Sequence, residues 1–200
     1  MAGSLEGPVS RYLNRRVSVP AARILAHTPV TPNQVSVSAL AVAGGAFALL
    51  WAGRNVEAGV LIQASSVIDG IDGDLARAKQ MASRFGGVFD AVLDRYADAL
   101  IAGGMGWYAY RHEDWPQPLL LAFAAAVGFL LVSYSRARLE TEVGVDAVAA
   151  SPPPASRDVR LLVLAVGVVV GQCWLALALV ATLSYLSVAL RLARIRSRPG

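Results

Sequence analysis

Residues 57–79 read EAGVLIQASSVIDGIDGDLARAK, and this stretch decides how the chain folds. It is long enough to cross a bilayer as a helix, for which about 20 mostly apolar residues suffice. Yet it carries Asp69, Asp72, Asp74 and Arg77. A carboxylate deep in lipid is costly, so such groups face a bundle interior or a wet cavity. The segment is therefore one helix of a membrane bundle. Asp69 and Asp72 stand three apart and share a helix face.

The following stretch, residues 86–110, carries Asp90, Asp94, Arg95 and Asp98. Asp90 and Asp94 stand four apart and also share a face. A short turn near residues 81–84 joins the two segments, which makes them antiparallel and lets their acidic faces meet. Four converging carboxylates cannot all ionise without a counter-charge. A divalent cation supplies one. The only histidines are His27 and His112, in different parts of the chain, so the donors are oxygens and the expected ion is hard: Mg²⁺ or Mn²⁺ rather than Zn²⁺. Gly73, Ala76 and Gly86 remove side-chain bulk beside the acidic faces, where a ligand can approach the backbone. Arg77 adds a planar fork of donors suited to phosphate. Metal, small residues and arginine together describe a site for a pyrophosphate.

Composition agrees with a membrane class. The chain has 200 residues, 56% of them hydrophobic and 16% charged, against about 25% charged in an ordinary soluble domain. Its mean hydropathy is +0.51. That excludes a disordered chain. One cysteine, Cys173, excludes a disulfide framework within the chain. The expected fold is all-α, a polytopic integral membrane protein with six transmembrane helices. They fall near residues 34–53, 57–79, 86–110, 117–140, 157–171 and 174–191. The last two form a tight hairpin over Gly171-Gln172-Cys173.

Arginine and lysine mark the cytoplasmic side. Arg11, Arg15, Arg16 and Arg23 precede the first helix, Lys79 and Arg84 lie between the second and third, and Arg191, Arg194, Arg196 and Arg198 close the chain. The opposite loops hold Arg54 and Arg111. Both termini and the acidic site are therefore expected on the cytoplasmic side. The net charge of +4 belongs to helix ends rather than to one soluble face, which disfavours a nucleic-acid partner and favours membrane lipids.

Three regions follow: a cytoplasmic interfacial segment at 1–33, a six-helix domain at 34–196 and a tail at 197–200. In the first, Leu13, Val17, Ala21, Ile24 and Leu25 fall on one helical stripe among arginines, as in an amphipathic helix lying on headgroups. Pro20 interrupts that stripe. Residues 141–156 form the long loop, with a stiff Pro-rich end at Pro152-Pro153-Pro154.

The run Asp69-x2-Asp72-Gly73-x2-Ala76-Arg77-x8-Gly86-x3-Asp90-x3-Asp94 resembles the signature of the CDP-alcohol phosphotransferase family at every fixed position. Eight fixed residues over 26 positions are far more specific than a short glycine motif. The resemblance extends to six helices, an N-terminal interfacial helix and Thr31-Pro32-Asn33 before the first span. It implies transfer of a substituted phosphoryl group from a CDP-alcohol to an acceptor hydroxyl, with release of CMP. It implies that Asp69, Asp72, Asp90 and Asp94 hold one or two metal ions, that Asp94 is the general base, and that Gly73, Ala76, Arg77 and Gly86 shape the CDP site. It also implies a homodimer.

A second basic group sits at the same membrane face. Ser133 and Arg136 end the fourth helix, and Arg157 and Arg160 begin the fifth. As flanking charges they satisfy the positive-inside pattern. As a pocket they would grip an acceptor carrying its own phosphate. Ser133-x2-Arg136 and Arg157-x2-Arg160 resemble the phosphatidylinositol-phosphate synthase branch. Residues 8–16, PVSRYLNRR, resemble the lead-in of enzymes that make di-inositol phosphates from CDP-inositol. The resemblance thus implies a phosphorylated polyol acceptor, inositol phosphate foremost, with CDP-diacylglycerol as the favoured donor. CDP-inositol as donor and glycerol 3-phosphate as acceptor stay open.

Two other classes compete. A transporter would spread acidic groups along a path and break helices near the midplane. A dead scaffold would lack a signature residue, and none is missing. Gly103, Gly104 and Gly106 are read as close helix contacts. Trp51, Trp107, Trp115 and Trp174 are read as an outer aromatic belt.

Overall fold

Thr31 starts the bundle. Its hydroxyl accepts from the Gln34 N–H at 3.4 Å, and the Gln34 side-chain oxygen accepts from the Thr31 N–H at 2.9 Å. This reciprocal cap, with Pro32 at the first helical position, sets the start of α2 (Pro32–Trp51). The computed structural model describes residues 7–144 and 156–196. A π-helical turn, Ser10–Asn14, leads into α1 (Arg15–Ala26). The rest is α3 (Asn55–Ala78), α4 (Arg84–His112), α5 (Pro118–Glu142), α6 (Arg157–Val169) and α7 (Cys173–Arg196). The Pro-rich end of the long loop and the tail at 197–200 lie outside the described residues.

Among the described residues, six helices follow α1. α2 packs on α3 and α4, α4 on α5 and α7, α5 on α7, and α6 on α3 and α7. The interior holds Leu50, Ile62, Ile101, Met105, Phe129, Leu161, Leu164, Leu177 and Val180. Gly106 faces Ala122 of α5 so closely that a Cβ would clash. Gly104 sits against Leu50 and Phe47 of α2. Gly103, expected with them, faces open space.

One end of the bundle gathers the tryptophans. Trp51 stacks on Trp107 with ring centres 4.0 Å apart, and Trp115 on Trp174 at 4.9 Å. Glu113, just past α4, caps α7: its carboxylate accepts from the Cys173 N–H at 2.6 Å and the Trp174 N–H at 3.0 Å. These are donors that a helix start leaves without partners. Gly171, with φ of +68°, makes the tight turn of the α6–α7 hairpin.

The expected six spans are met in part. Among the described residues, three helices, α2, α5 and α7, are long and apolar enough to cross a membrane. α3 and α4 are long but carry the acidic residues, and α6 has 13 residues, about 20 Å of helix against a hydrocarbon core of about 30 Å. The bundle exposes many large apolar side chains, among them Val60, Val88, Leu120, Phe123 and Leu192. Patches of that extent suit lipid contact.

The N-terminal stripe needs correction. Leu13, Val17 and Ile24 are exposed, while Ala21 and Leu25 pack against the buried cluster of Ala22, Val35, Ile71 and Leu75. The face that packs on α3 is Asn14, Ser18 and Ala22. Pro20 does not break α1, which runs on to Ala26 with the proline ring exposed.

Candidate active site

The end of the bundle opposite the tryptophans holds the signature. Carboxylate oxygens of Asp69 on α3 and of Asp90 and Asp94 on α4 lie within 4.8 Å of one another. The α3–α4 turn brings them together: Gln80 adopts φ of 55°, and the Ser83 hydroxyl caps α4 by accepting from the Gly86 N–H at 3.0 Å. Asp72 stands to one side of this group. It accepts hydrogen bonds from the Ser36 hydroxyl of α2 and from the Gly73 N–H, and its carboxyl abuts Asp90.

Arg157, the first residue of α6, reaches into the acidic group. Its Nη1 lies 2.8 Å from Asp69 Oδ2 and 3.0 Å from Asp94 Oδ1, and its Nε lies 3.2 Å from Asp98 Oδ1. Arg95 closes the deeper side, 3.0 Å from Asp98 and 3.3 Å from the Phe129 carbonyl oxygen. Asp98 is 1% exposed and is balanced by both arginines. Asp69, Asp94 and Asp98 thus contact the two guanidiniums, and Asp69, Asp90 and Asp94 converge beside them. An all-oxygen set so spaced and half-buried fits a hard divalent cation.

The small residues and Arg77 line the same end. The Arg77 guanidinium folds back along α3 over Gly73; a Cβ there would lie 3.6 Å from Nη1. Asp74, left outside the signature, pairs with Arg77 at 2.6 Å and accepts from the Ser18 hydroxyl at 2.9 Å. Ala76 is half-buried on α3. A Cβ at Gly86 would meet the Ser83 hydroxyl at 3.1 Å and Asn33 Oδ1 at 3.6 Å.

The second basic group is not gathered into one open pocket. Ser133 is half-buried and Arg136 is exposed on α5. Arg157 belongs to the carboxylates. Arg160 is 3% exposed, donates to the Ser184 hydroxyl at 3.1 Å and lies 4.8 Å over the Phe129 ring. Arg191 takes a place that its reading as a flanking charge did not foresee. It is buried, and its Nη1 donates to the Val132 carbonyl oxygen at 2.9 Å and to the Ser135 hydroxyl at 2.5 Å, with Arg136 as a like-charged neighbour. Its signal is in the sequence: Ser184, Ser187 and Arg191 form one polar stripe on an otherwise apolar helix.

Comparison with known proteins bears on this arrangement. The family profile described as CDP-alcohol phosphatidyltransferase matches residues 29–193. A protein of Rubrobacter xylanophilus named bifunctional IPC transferase and DIPP synthase is 42% identical over 170 residues, 85% of this chain. The match spans 38% of that relative's length. A crystal structure of the Mycobacterium tuberculosis phosphatidylinositol phosphate synthase with CDP-DAG bound superposes with a TM-score of 0.76 at 25% identity, covering 92% of this chain and 96% of the other. The same enzyme in complex with manganese and citrate matches with a TM-score of 0.76 at 24% identity, covering 92% and 91%. These likenesses, the exposed apolar side chains and the three apolar helices make the protein an integral membrane protein. The chain belongs to the CDP-alcohol phosphatidyltransferase family.

Proposed function

We propose that the protein transfers a substituted phosphoryl group from a CDP-alcohol to the hydroxyl of a phosphorylated polyol and releases CMP. CDP-diacylglycerol is the favoured donor and inositol phosphate the favoured acceptor. The observation that carries this reading is the convergence of Asp69, Asp90 and Asp94 within 4.8 Å, on the residues of the family signature. The likeness to an enzyme solved with CDP-DAG supports the lipid donor.

Asp69, Asp72, Asp90 and Asp94 would hold Mg²⁺ or Mn²⁺, which supplies charge neutralisation for the pyrophosphate and the departing CMP. Arg77, over Gly73, offers donors to the donor phosphates, while Gly73, Ala76 and Gly86 leave room for them. Asp94 accepts the proton of the acceptor hydroxyl. The new P–O bond forms at the β-phosphorus, the bond to CMP breaks, and its electron pair leaves with CMP. Arg157, whose side chain is 20% exposed beside Asp69 and Asp94, would meet the acceptor phosphate. Ser133 and Arg136 lie on α5 at the same end, and Arg160, buried against Ser184 and Phe129, adds positive charge from inside the bundle.

In the membrane, α2 to α5 and α7 span with the shorter α6 packed on α3 and α7 as the remaining crossing, α1 lies at the interface with Leu13, Val17 and Ile24 toward lipid, and both termini and the site face the cytoplasm. The protein works as a homodimer. A second reading takes CDP-inositol as the donor, and the 42% identity to a bifunctional IPC transferase and DIPP synthase favours it. Both readings share the chemistry at Asp94. Asp94→Asn should abolish CMP release while leaving the thermal midpoint in place. Unchanged turnover would remove Asp94 as the base.

A further inference from the structure

We propose that Ser18 and Asp74 are positioning residues that hold Arg77 for the nucleotide, which makes the N-terminal helix α1 part of the donor site. The inference rests on reading Arg77 as a donor-phosphate ligand.

Two helices share one carboxylate. Asp74 Oδ2 accepts from the Ser18 hydroxyl of α1 at 2.9 Å, and Asp74 Oδ1 accepts from Arg77 Nη2 on α3 at 2.6 Å. Burial falls in steps along this relay. Ser18 is 1% exposed, the Asp74 side chain 12% and the Arg77 side chain 62%. The inner end is thus fixed in packed protein and the outer end is a guanidinium facing the open side. An ion pair left to itself at a surface fixes geometry poorly, because both side chains keep their rotamer freedom. A carboxylate pinned from behind by a buried hydroxyl loses that freedom in advance. The guanidinium then stays over Gly73, with Nη1 and Nη2 3.6 and 3.8 Å from where a Cβ would stand.

The contact between α1 and α3 is built for this approach. Gly70 lies beneath Ser18, and a Cβ there would come to 3.7 Å from the serine side chain. One turn earlier, Asn14 donates to the Ser66 hydroxyl at 3.2 Å and accepts from Gln63 Nε2 at 3.1 Å. A helix held only to a membrane surface needs no such polar inner face; alanines would pack as well. The polar seam leads from Gln63 to Asp74, along the same helix that bears Asp69 and Asp72.

The test titrates CDP with Mn²⁺ into the purified chain in detergent, for the unaltered protein and for Ser18→Ala, Ser18→Thr, Asp74→Ala, Arg77→Ala and the double variant Ser18→Ala/Arg77→Ala. Arg77→Ala should weaken CDP by at least about tenfold. Ser18→Ala should weaken it about three- to tenfold with the thermal midpoint unchanged, and Ser18→Thr should restore it. In the Arg77→Ala background, Ser18→Ala should add nothing. A Ser18→Ala effect that persists at full size in that background, or is absent while Arg77→Ala weakens binding, overturns the proposal and leaves the reading of Arg77 standing. Unchanged CDP affinity in Arg77→Ala overturns that reading, and the proposal with it. Should Asp74→Ala fail to fold, the serine variants decide.

Discussion

At Arg157 the sequence separates two readings poorly. Its place at the start of a helix, beside a basic loop, reads both as a flanking charge and, with more weight, as a phosphate ligand. The structure adds a third partner set, the carboxylates of Asp69, Asp94 and Asp98. No local pattern announces it, because the contact joins residues 59 to 88 positions apart. The carboxylate convergence is different. Spacings of three and four residues on two antiparallel helices are enough to foresee it, since helix faces follow from the period alone. Arg157→Lys keeps a positive charge among the acids but replaces a planar fork with a point donor. The fold should survive, and the KM for a phosphorylated acceptor should rise about tenfold, with a smaller change for a neutral polyol. Equal effects on both acceptors would remove the phosphate-gripping role.

The helices themselves are legible, and their ends less so. α2 starts two residues before its expected beginning because Thr31 and Pro32 act as cap and first turn rather than as a break. α7 runs to Arg196, five residues past its expected end, because Arg191 is buried and paired rather than a boundary charge. α1 shows the limit of a hydrophobic stripe. In a membrane protein the exposed face can be the apolar one, so Leu13 and Val17 point out while Asn14 and Ser18 pack inward. The glycines of α4 make a contrast at this scale. Gly106→Ala forces a Cβ onto Ala122 and should cost about 1–3 kcal/mol, whereas Gly103→Ala meets nothing and should be neutral. Thermal unfolding of the two variants in detergent checks this. Similar midpoints would contradict the close α4–α5 approach.

Across the whole molecule, charge and polarity divide the two ends. Tryptophan pairs and the Glu113 cap lie at one, and the acidic site lies at the other with α1. α3 and α4 are continuous over Asn55–Ala78 and Arg84–His112 and cluster their aspartates near one end. A transport path would call for broken helices and acids spread across the membrane. The proposed topology makes a direct expectation. A cysteine placed at Arg11 should be labelled from the cytoplasmic side by a membrane-impermeant maleimide, and one placed at Arg111 only from the opposite side. Labelling of both from one side would overturn the alternation.

Purified protein with Mg²⁺, CDP-diacylglycerol and inositol 1-phosphate should release CMP in proportion to acceptor and form a phosphorylated lipid product. Chelation should stop it and added Mg²⁺ restore it. Replacing the lipid donor by CDP-inositol in the same assay covers the second reading. Absence of acceptor-dependent CMP with both donors, from folded protein that binds Mn²⁺, would contradict the account.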